Sequence, residues 1–520
     1  MIIQTIYNNI KKTKIIPELT KELKVLISEN MKEQKASLFS LSILYGKTDN
    51  YLLENNDYLK KYENFLNSNN SKDILEQEKT SFTIINKTFN NEEFTEKEIY
   101  DFVYGFTNEY ISLIDVSFWS MLVCEIGLSD KNTYLLTKSM TNTGNIYNYK
   151  LNFPNYFFTR RYPTGGVSEK LSLLLPTLIM CISDKYKIKS PFTIGRSLGF
   201  TGGTWDKLSS IPEFNFAEPG QESIERLDKC GISMTVSKND MCPADRILYQ
   251  LRNLVGTIES TELATASIAS KQLAIPCDYL LLDTRYGDGA FFKKEEAIKM
   301  SNLIKKFLKY SGIDIDIVYT DTPFPNGSSI GNALEVEEAI YILTGCSNIC
   351  WHPDGIKDQK KLLSKFLSLI MQKITNKKDF DATSMMEEFI QNGTAKNNFI
   401  KLLECHMVSK AVIESIFKNS FIETIGLKKV LDVVSDKKFI FKGINQRLIG
   451  DFVNFKLGNA RYEFGIKEKS LNNILLYQRP GDIVNIGDIL FSVYYTKPEI
   501  IIKNKNQHTN TLLNCIYFNL

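Results

Sequence analysis

Short apolar segments that alternate with amphipathic helical segments constrain the fold of this chain more than any other feature. The segment YLLLDTRYGDGAFF at 279–292 is followed by KKEEAIKMSNLIKKFLKY at 293–310 and then by IDIDIVYTDT at 313–322. Apolar runs of this length, bounded by turn residues, are typical of buried strands, and helices between them are typical of crossover connections. The sequence therefore predicts an α/β layer with a central, mainly parallel sheet.

The two ends of the chain follow other patterns. Residues 1–84 are helical in pattern, and so is the segment Phe94–Tyr147, in which Thr95 and Glu98 have the spacing of a helix capping box. From about Lys437 to Lys497 the chain carries short β-like runs and the turn signals RPGD and NIGD. We therefore expect helices in the first part and a strand-rich lobe near the C-terminus.

Composition excludes several classes of protein. The 520 residues are 43% hydrophobic and 24% charged, and 63 Lys+Arg against 60 Asp+Glu leave a net charge of +3. This composition predicts a globular chain and favours neither a nucleic-acid partner nor a membrane partner. No apolar run is long enough to span a bilayer, and the N-terminus lacks the pattern of a signal peptide. We therefore expect a cytoplasmic location.

Cysteine and histidine residues are sparse and scattered. The nine cysteines form no CxxC pair, which favours reduced thiols in a cytosol. The three histidines, His352, His406 and His508, all lie far from the glycine-rich segments. This distribution disfavours a Ser-His-Asp hydrolase and a histidine metal site, so we expect no bound metal.

Two glycine-rich loops are candidate anion sites. One is Thr164–Gly166 in RRYPTGGVSEKLSLLLP, where Arg160 and Arg161 come shortly before the glycines, and the other is Gly202–Thr204 in GRSLGFTGGTWDKL. Consecutive glycines let backbone N–H groups approach a phosphate, and a following helix N-terminus adds favourable polarity. Neither loop has the dinucleotide or the Walker pattern, and such segments are often simple turns. Both interpretations stay open from the residues alone.

A third group of residues lies in two predicted helices. Tyr249 and Arg252 in CPADRILYQLRN are three positions apart, and Ser267 and Lys271 in ELATASIASKQLA are four apart, so each pair shares a helix face. Two cations, a hydroxyl and a phenol on adjacent helices can hydrogen-bond the edge of a flat heterocycle. Spacing alone favours a solvated helix surface.

Together these segments resemble the thymidine phosphorylase/pyrimidine nucleoside phosphorylase family. The similarity is colinear from about residue 88 to about residue 498. The motifs that carry it, in chain order, are EEFTEKEIYDFVYGFTN, TGGV, GRSLGFTGGTWDKLSSIP, PADRILYQLR, TASIASK, GDGAF, IGNALEVEEAI and RPGDIVNIGD.

The resemblance implies a fold and an activity. Members are homodimers without a cofactor that cleave the N-glycosidic bond of a pyrimidine nucleoside with inorganic phosphate, giving free base and sugar 1-phosphate. Their active site lies between a small helical domain and a large α/β domain. Mapped onto this chain, the expected parts are an extra helical extension at 1–84, a small α-helical domain at 85–148 and 243–275, an α/β domain at 149–242 and 276–430, and a C-terminal α+β lobe at 431–520.

The base-binding residues of the family are all present. The resemblance implies that Arg252, Ser267 and Lys271 hydrogen-bond the pyrimidine edge, while Tyr249 and Leu198 pack beside the base. Arg252 and Lys271 then stabilise the negative charge that gathers on the departing base. We therefore expect both of them to be catalytic.

The phosphate side departs from the family. Where the family has Lys-His-Ser, this chain has Arg161, Tyr162 and Pro163, and Ile194 replaces a further serine. Arg161 keeps the positive charge, Tyr162 can donate a hydrogen bond to the base as a third catalytic residue, and Pro163 removes both a hydroxyl and an N–H. The expected phosphate ligands are Arg161, Thr164, Gly165, Gly166, Ser172 and Thr204.

A further change concerns the monovalent cation that family members often bind. Its carboxylate ligand is present as Glu338, but Lys170 occupies the place of a hydroxyl ligand. We hypothesise that the Lys170 ammonium replaces the cation and pairs with Glu338. The alternative is that Lys170 is solvated.

The sequence thus favours a pyrimidine nucleoside phosphorylase-like pentosyltransferase. The lost serines leave two alternatives open. One is the same fold and base pocket with a non-phosphate acceptor, by hydrolysis or biosynthetic transfer. The other is a non-catalytic nucleoside-binding relative that uses residues 1–84 for interaction.

Overall fold

The computed structural model describes residues 71–236, 240–456, 472–496 and 505–519. Helices in chain order are α1 (Ser71–Phe89), α2 (Glu96–Thr107), α3 (Leu113–Ile126), α4 (Asp130–Thr141), α5 (Leu171–Tyr186), α6 (Thr204–Leu208), α7 (Gln221–Cys230), α8 (Pro243–Val255), α9 (Thr261–Ala274), α10 (Lys294–Tyr310), α11 (Asn332–Thr344), α12 (Pro353–Thr375), α13 (Thr383–Gln391), α14 (Thr394–Cys405), α15 (Lys410–Asn419), α16 (Phe421–Thr424), α17 (Gln446–Asp451) and α18 (Lys505–Leu513).

Strands are distributed through the second half of the chain and around α5. They are β1 (Phe157–Pro163), β2 (Ile188–Ile194), β3 (Ile232–Val236), β4 (Tyr279–Tyr286), β5 (Asp314–Asp321), β6 (Ser329–Ile330), β7 (Lys428–Val434), β8 (Phe439–Ile444), β9 (Asn472–Leu476), β10 (Ile483–Val484), β11 (Ile489–Tyr495) and β12 (Ile516–Asn519).

The described residues divide into two compact units. The first comprises 71–147, 240–276 and 298–311, and it is helical. Its core is aromatic: Phe102 and Trp119 pack edge to face at 5.1 Å between ring centroids, and the Trp119 indole donates to the Thr88 hydroxyl at 3.0 Å. At the start of α2, Thr95 and Glu98 form the predicted capping box.

The helix α1 passes through the boundary that the sequence suggested at residue 84. Ile84 and Ile85 are buried in the same core as Trp119, because α1 turns one apolar face toward that core. Residues 71–84, which are the described part of the predicted N-terminal extension, therefore belong to the first unit. The helical pattern predicted for residues 1–70 lies outside the described residues, and the other domain boundaries stay predictions.

The second unit comprises the remaining described residues and is built on a five-stranded sheet with the order β3-β2-β1-β4-β5. Each pairing in this sheet is parallel. The strands β2, β3 and β4 are buried along nearly their whole length, as expected for a parallel sheet that helices cover on both faces. The edge strand β5 differs, because its buried and exposed residues largely alternate.

Two antiparallel sheets form the strand-rich C-terminal region. One has the order β10-β8-β12, and the other has the order β6-β9-β11-β7. The predicted fold class, a helical part with an α/β part and a strand-rich C-terminal lobe, is therefore confirmed. Among the helices that are described, none is long and apolar enough to cross a bilayer.

Candidate active site

The carboxyl ends of β1 and β4 lie side by side where the strand order of the parallel sheet reverses. The chain runs from β1 through β2 to β3 on one side, while β4 and β5 lie on the other. In open parallel sheets such a reversal leaves a crevice outside the carboxyl ends of the strands, where ligands bind. The turn Thr164–Gly166 follows β1 at this edge, and Gly287–Gly289 follows β4. This edge is the candidate anion site.

A network of buried charged side chains lies at this edge. Arg161 on β1 donates from Nη2 to Glu169 Oε1 at 2.9 Å and to the carboxylate of Asp283 on β4, and from Nη1 to Ser172 Oγ at 3.2 Å. The Ser172 hydroxyl donates to Glu169 Oε2 at 2.7 Å. The structure thus brings the predicted anion ligands Arg161 and Ser172 together, and it also places two carboxylates against them.

Electrostatics keeps this network charged. Burial by itself would raise the pKa of Glu169, but attraction to Arg161, Arg285 and Lys207 outweighs burial and holds that pKa far below its ordinary value. For Arg161, burial would lower the pKa, and attraction to Glu169 and Asp283 raises it instead. Arg161 therefore already has carboxylate partners before any ligand binds.

The first glycine-rich turn is fixed by backbone contacts. The N–H of Thr164 donates to the Asp283 carbonyl at 2.9 Å, and its hydroxyl accepts from the N–H of Arg285 at 2.9 Å. Gly166 has a φ of +156°, and a Cβ there would lie 2.9 Å from the carbonyl oxygen of Gly289. Only glycine fits at this position without displacement of the chain.

Tyr162 is half-buried on β1, next to Arg161. Since successive side chains in a strand point to opposite faces of the sheet, Tyr162 lies on the face opposite to Arg161. The structure therefore does not place Tyr162 within the charged network.

Asp206 organises the second glycine-rich loop. Its Oδ2 accepts from the N–H of Ser197 at 2.6 Å and from the N–H of Gly203 at 3.1 Å. Burial raises the pKa of Asp206 to about 6, against the opposing effect of these hydrogen bonds. The loop conformation is thus tied to a carboxyl group whose pKa lies near the physiological range.

The other predicted residues of this region lie along the same loop. Leu198 sits in a turn closed by backbone bonds with Thr201, and Thr204 begins the short helix α6; Leu198 and Thr204 are both half-buried. Ile194 ends β2 inside the hydrophobic core of the second unit. The Ile194 side chain therefore packs in the hydrophobic core of the second unit.

Lys170 and Glu338 form a buried pair. The Lys170 Nζ lies 3.1 Å from Glu338 Oε2, and it donates to the carbonyls of Asn326 at 2.6 Å and Ser329 at 3.1 Å and to the Ser168 hydroxyl. The ammonium is thus surrounded by oxygen atoms. Whether it replaces a cation is a separate matter, which stays a proposal.

In the first unit, three of the predicted base-binding residues meet between α8 and α9. The Lys271 Nζ donates to Ser267 Oγ at 2.8 Å and to Asp245 Oδ2 at 2.6 Å, and it lies 5.6 Å from the centroid of the Tyr249 ring. The side chains of Lys271 and Asp245 are 11% and 5% exposed. This arrangement fixes the direction of the ammonium group above an aromatic surface.

Arg252 is held by the loop that joins the same two helices. Its Nε donates to the carbonyl of Thr257 at 3.1 Å, and its Nη2 donates to that of Ile258 at 2.7 Å. Burial lowers the pKa of Arg252, and the nearby Cys124 and Asp245 oppose that effect. The guanidinium plane is therefore preorganised.

The carboxylates Asp245, Glu169 and Asp283 are absent from the set of site residues predicted from the sequence. Asp245 lies four and seven positions before Tyr249 and Arg252, which is the spacing of one helix face, so that pattern contained a usable signal. Glu169 stands inside the motif TGGVSEK, and Asp283 follows three buried leucines in the second half of β4. Polar residues at the carboxyl end of a buried strand are themselves a signal for a site.

Comparison with known proteins decides the family. The chain is 30% identical to the pyrimidine-nucleoside phosphorylase of Bacillus subtilis (strain 168) over 424 residues, which cover 80% of this chain and 92% of the relative. This chain belongs to the thymidine/pyrimidine-nucleoside phosphorylase family. A thymidine phosphorylase of Mycoplasmoides pirum is 29% identical over 419 residues, covering 80% of this chain and 95% of that protein. The resemblance inferred from the motifs is therefore confirmed.

Two other comparisons add little to the phosphorylase assignment. No protein-family profile matches the chain. The crystal structure of an anthranilate phosphoribosyltransferase from Thermus thermophilus superposes with a TM-score of 0.46 at 12% identity, covering 62% of this chain and 99% of that chain.

Proposed function

We propose that this chain is a pyrimidine-nucleoside phosphorylase, a pentosyltransferase that cleaves the N-glycosidic bond with inorganic phosphate to give free base and sugar 1-phosphate. The observation that carries the proposal is the Lys271 ammonium, which Asp245 and Ser267 hold above the Tyr249 ring in a member of this family. The reaction needs no resident cofactor.

The first unit supplies the groups for the base. As the bond to the sugar breaks, its electron pair passes to the base nitrogen, and the sugar becomes oxocarbenium-like. Lys271 and Arg252 stabilise the negative charge on the base, and Ser267 donates to or accepts from its edge. Removal of one such preorganised donor typically lowers kcat by roughly 10²- to 10³-fold. Tyr249 and Leu198 flank the ring.

The second unit supplies the groups for the anion. Ser172, Thr204 and the turn Thr164–Gly166 surround the phosphate, and Arg161 lies beside them as a donor to Ser172. One oxygen of the phosphate forms the new bond to C1′. Support comes from the position of the turn at the strand-order reversal and from the ionised, hydrogen-bonded Arg161 beside it. Tyr162 donates its phenolic hydrogen to a carbonyl of the base.

Lys170 takes the place of a monovalent cation. The oxygen atoms around its Nζ come from two carbonyls, one hydroxyl and the Glu338 carboxylate, which is the type of ligand set that such a cation prefers. The protein therefore acts without added potassium.

The assembly and location follow from the same proposal. The protein is a cytoplasmic homodimer, and its substrates are a pyrimidine nucleoside and phosphate. All nine cysteines are free thiols, which suits a reducing compartment. Tyr100, Tyr104 and Tyr110 are exposed and form a run of ring contacts at 5.9 and 6.2 Å, a surface that a second copy can cover. Light scattering on the purified protein measures the assembly.

Base release tests the activity directly. Uridine, thymidine, deoxyuridine and cytidine are incubated with the enzyme with and without phosphate, and the products are separated by chromatography. We expect base and an equal amount of sugar 1-phosphate only when phosphate is present. Equal release in its absence would refute phosphorolysis.

A pair of lysine variants ties the activity to the site. Lys271→Met is expected to lower kcat at least 100-fold, because it removes the ammonium donor. It also leaves the Asp245 carboxylate without its counter-ion, so circular dichroism at the assay temperature verifies that the variant is folded. The matched control is Lys131→Met, since Lys131 is 63% exposed on the same unit and forms an ion pair with Glu93 at its surface. Equal activities of the two variants would contradict the assignment of Lys271.

A further inference from the structure

Arg285 is a fully buried arginine with unused hydrogen-bond donors. Arg285 is the last residue but one of β4, and its Nε donates to Asp283 Oδ2 at 3.2 Å. The side chain is 0% exposed, and neither Nη1 nor Nη2 has a hydrogen-bond partner among the described residues. Buried polar groups are almost always paired, and an unpaired charged group is expensive to bury. This arrangement therefore needs an explanation.

The free nitrogens lie against the first glycine turn. A Cβ built on Gly166 would lie 3.5 Å from Arg285 Nη1, so the guanidinium packs directly against the backbone at this position. The N–H groups of Gly165 and Gly166 donate to no partner in the part of the chain that the structure describes. Unpaired backbone and guanidinium donors thus occur together at the strand-order reversal.

Arg161 differs in this respect. Both of its Nη atoms are occupied: one donates to Ser172, and the other donates to Glu169 and Asp283. The Nε of Arg161 has no hydrogen-bond partner among the described residues, but an anion that bound to its Nη atoms would have to displace Ser172 or a buried carboxylate. An anion that bound to the Nη atoms of Arg285 would replace no existing hydrogen bond of these atoms.

We propose that Arg285 is the principal guanidinium ligand of the phosphate, and that Arg161 is a positioning residue that holds Glu169, Asp283 and Ser172 in place. This inference rests on the proposed phosphorylase function and deepens it. The two Nη donors of Arg285 form a fork that fits two phosphate oxygens. These two Nη donors compensate for the hydrogen-bond donors that are lost where Pro163 and Ile194 replace serines of the family.

The proposal also requires a small movement. Because Arg285 is closed off from solvent, the anion reaches it only after the neighbouring chain shifts, and the turn at Gly165 and Gly166 has no side chains that oppose a shift. Phosphate binding should therefore slow hydrogen exchange of these two amides.

Arg285→Lys tests the assignment, because lysine keeps the charge beside Asp283 and loses the fork. We expect the KM for phosphate to rise 10- to 100-fold, which is roughly the effect of losing one charge-assisted hydrogen bond, while the KM for the nucleoside changes less than about 3-fold. A purely structural role would instead lower Tm and leave the phosphate KM unchanged. The matched control is Arg447→Lys, since Arg447 donates to the carbonyls of Ala290 and Phe291 in the same region.

Arg161→Lys separates the two arginines. It is expected to lower Tm by loosening Glu169 and Asp283, and to change the phosphate KM less than Arg285→Lys does. A larger effect on the phosphate KM from Arg161→Lys than from Arg285→Lys would overturn the proposal and would leave the phosphorylase function intact.

Binding of inorganic phosphate alone distinguishes failure of the proposed phosphorylase function from failure of the assignment of Arg285 as phosphate ligand. If calorimetry shows that the unaltered protein binds phosphate and Arg285→Lys weakens binding at least 10-fold, the inference holds even where turnover fails. If the unaltered protein turns over with phosphate and the variant binds it equally well, only the inference fails. If the unaltered protein does not bind phosphate, both fail.

A diffraction experiment on the unaltered protein tests the proposal without relying on the folding of any variant. Crystals of the unaltered protein grown with tungstate, a heavy analogue of phosphate, are expected to show an anomalous peak whose oxygens lie within hydrogen-bond distance of Arg285 Nη1 or Nη2. A peak that contacts Arg161 without Arg285, or no peak at this edge, would overturn the proposal.

Discussion

Lys170 and Glu338 form an ion pair from which solvent is wholly excluded: Nζ lies 3.1 Å from Oε2, and both side chains are 0% exposed. The carboxylate is also fully hydrogen-bonded, since it accepts from the N–H groups of Ser328 and Ser329 and from the Ser329 hydroxyl. Pairing of this kind offsets the desolvation of two charges only when every remaining oxygen and proton has a partner. The pair therefore ties the residue before α5 to α11, and the bonds from Ser328 and Ser329 tie α11 to the chain at β6.

Lys170→Met breaks this pair and leaves the Glu338 carboxylate buried without a counter-ion. We expect the free energy of unfolding to fall by about 3–5 kcal/mol. Potassium should restore part of the loss, because the oxygens that surrounded the ammonium can then ligate a cation. Thermal denaturation in potassium, sodium and tetramethylammonium chloride at equal ionic strength measures both effects.

The double variant Lys170→Met/Glu338→Gln is the control for the cation effect. Removing both charges should recover part of the lost stability and abolish the response to potassium. A response of the unaltered protein to potassium as large as that of Lys170→Met would contradict the proposal that Lys170 replaces a cation.

Asp245→Asn tests the orientation of the base-binding lysine. The amide occupies the same space as the carboxylate but removes the charge that holds the Lys271 ammonium, so we expect kcat/KM for the nucleoside to fall about 10-fold. Tm should also fall, because the Lys271 ammonium loses its buried counter-ion, so the kinetics are measured at a temperature at which the variant is folded. Unaltered steady-state kinetics would show that Asp245 does not position Lys271.

Asp206→Asn tests the pH dependence of the second glycine-rich loop. The pKa of Asp206 is about 6 in the folded protein, against about 3.9 for an aspartate in an unfolded chain. Between these values the folded chain binds a proton that the unfolded chain does not, so the contribution of Asp206 to stability is greatest below pH 4 and is lost as the pH rises through 6. The loss is on the order of 3 kcal/mol.

The asparagine variant keeps an acceptor for the N–H groups of Ser197 and Gly203 and carries no charge. Its free energy of unfolding should therefore fall less than that of the unaltered protein between pH 4 and pH 7, as measured by urea denaturation at each pH. Parallel curves for the two proteins would exclude Asp206 as the titrating group.

Tyr162→Phe tests the proposed donor to the base. Loss of one hydrogen bond to developing charge should lower kcat by about 10- to 100-fold, while the KM for phosphate stays the same. Tyr186→Phe is the matched control, because Tyr186 is also half-buried in the second unit and ends α5 away from the strand-order reversal. Equal rates for both variants would remove Tyr162 from the mechanism.

The sequence by itself determined the elements and the family. Apolar runs of strand length and amphipathic periodicity are local properties, so β4, α10 and β5 could be predicted from residues 279–322 alone. The capping box at Thr95 likewise depends on residues three positions apart. Colinear motifs over four fifths of the chain identified the phosphorylase family for a similar reason, since each motif is a short, contiguous string.

Tertiary structure alone decided which charges face one another. Arg161 and Asp283 are 122 positions apart and meet because β1 pairs with β4 in a register that sets Pro163 beside Asp283. Asp245 and Lys271 are 26 positions apart and meet through the packing of α8 on α9. A pattern of residue types does not predict the register of paired strands or the rotation of a helix about its axis, because both are set by the packing of the whole core. For that reason the sequence pointed to Arg161 as the phosphate ligand, whereas in the fold its Nη atoms donate to Ser172, Glu169 and Asp283, and the Nη atoms of Arg285 are left unpaired.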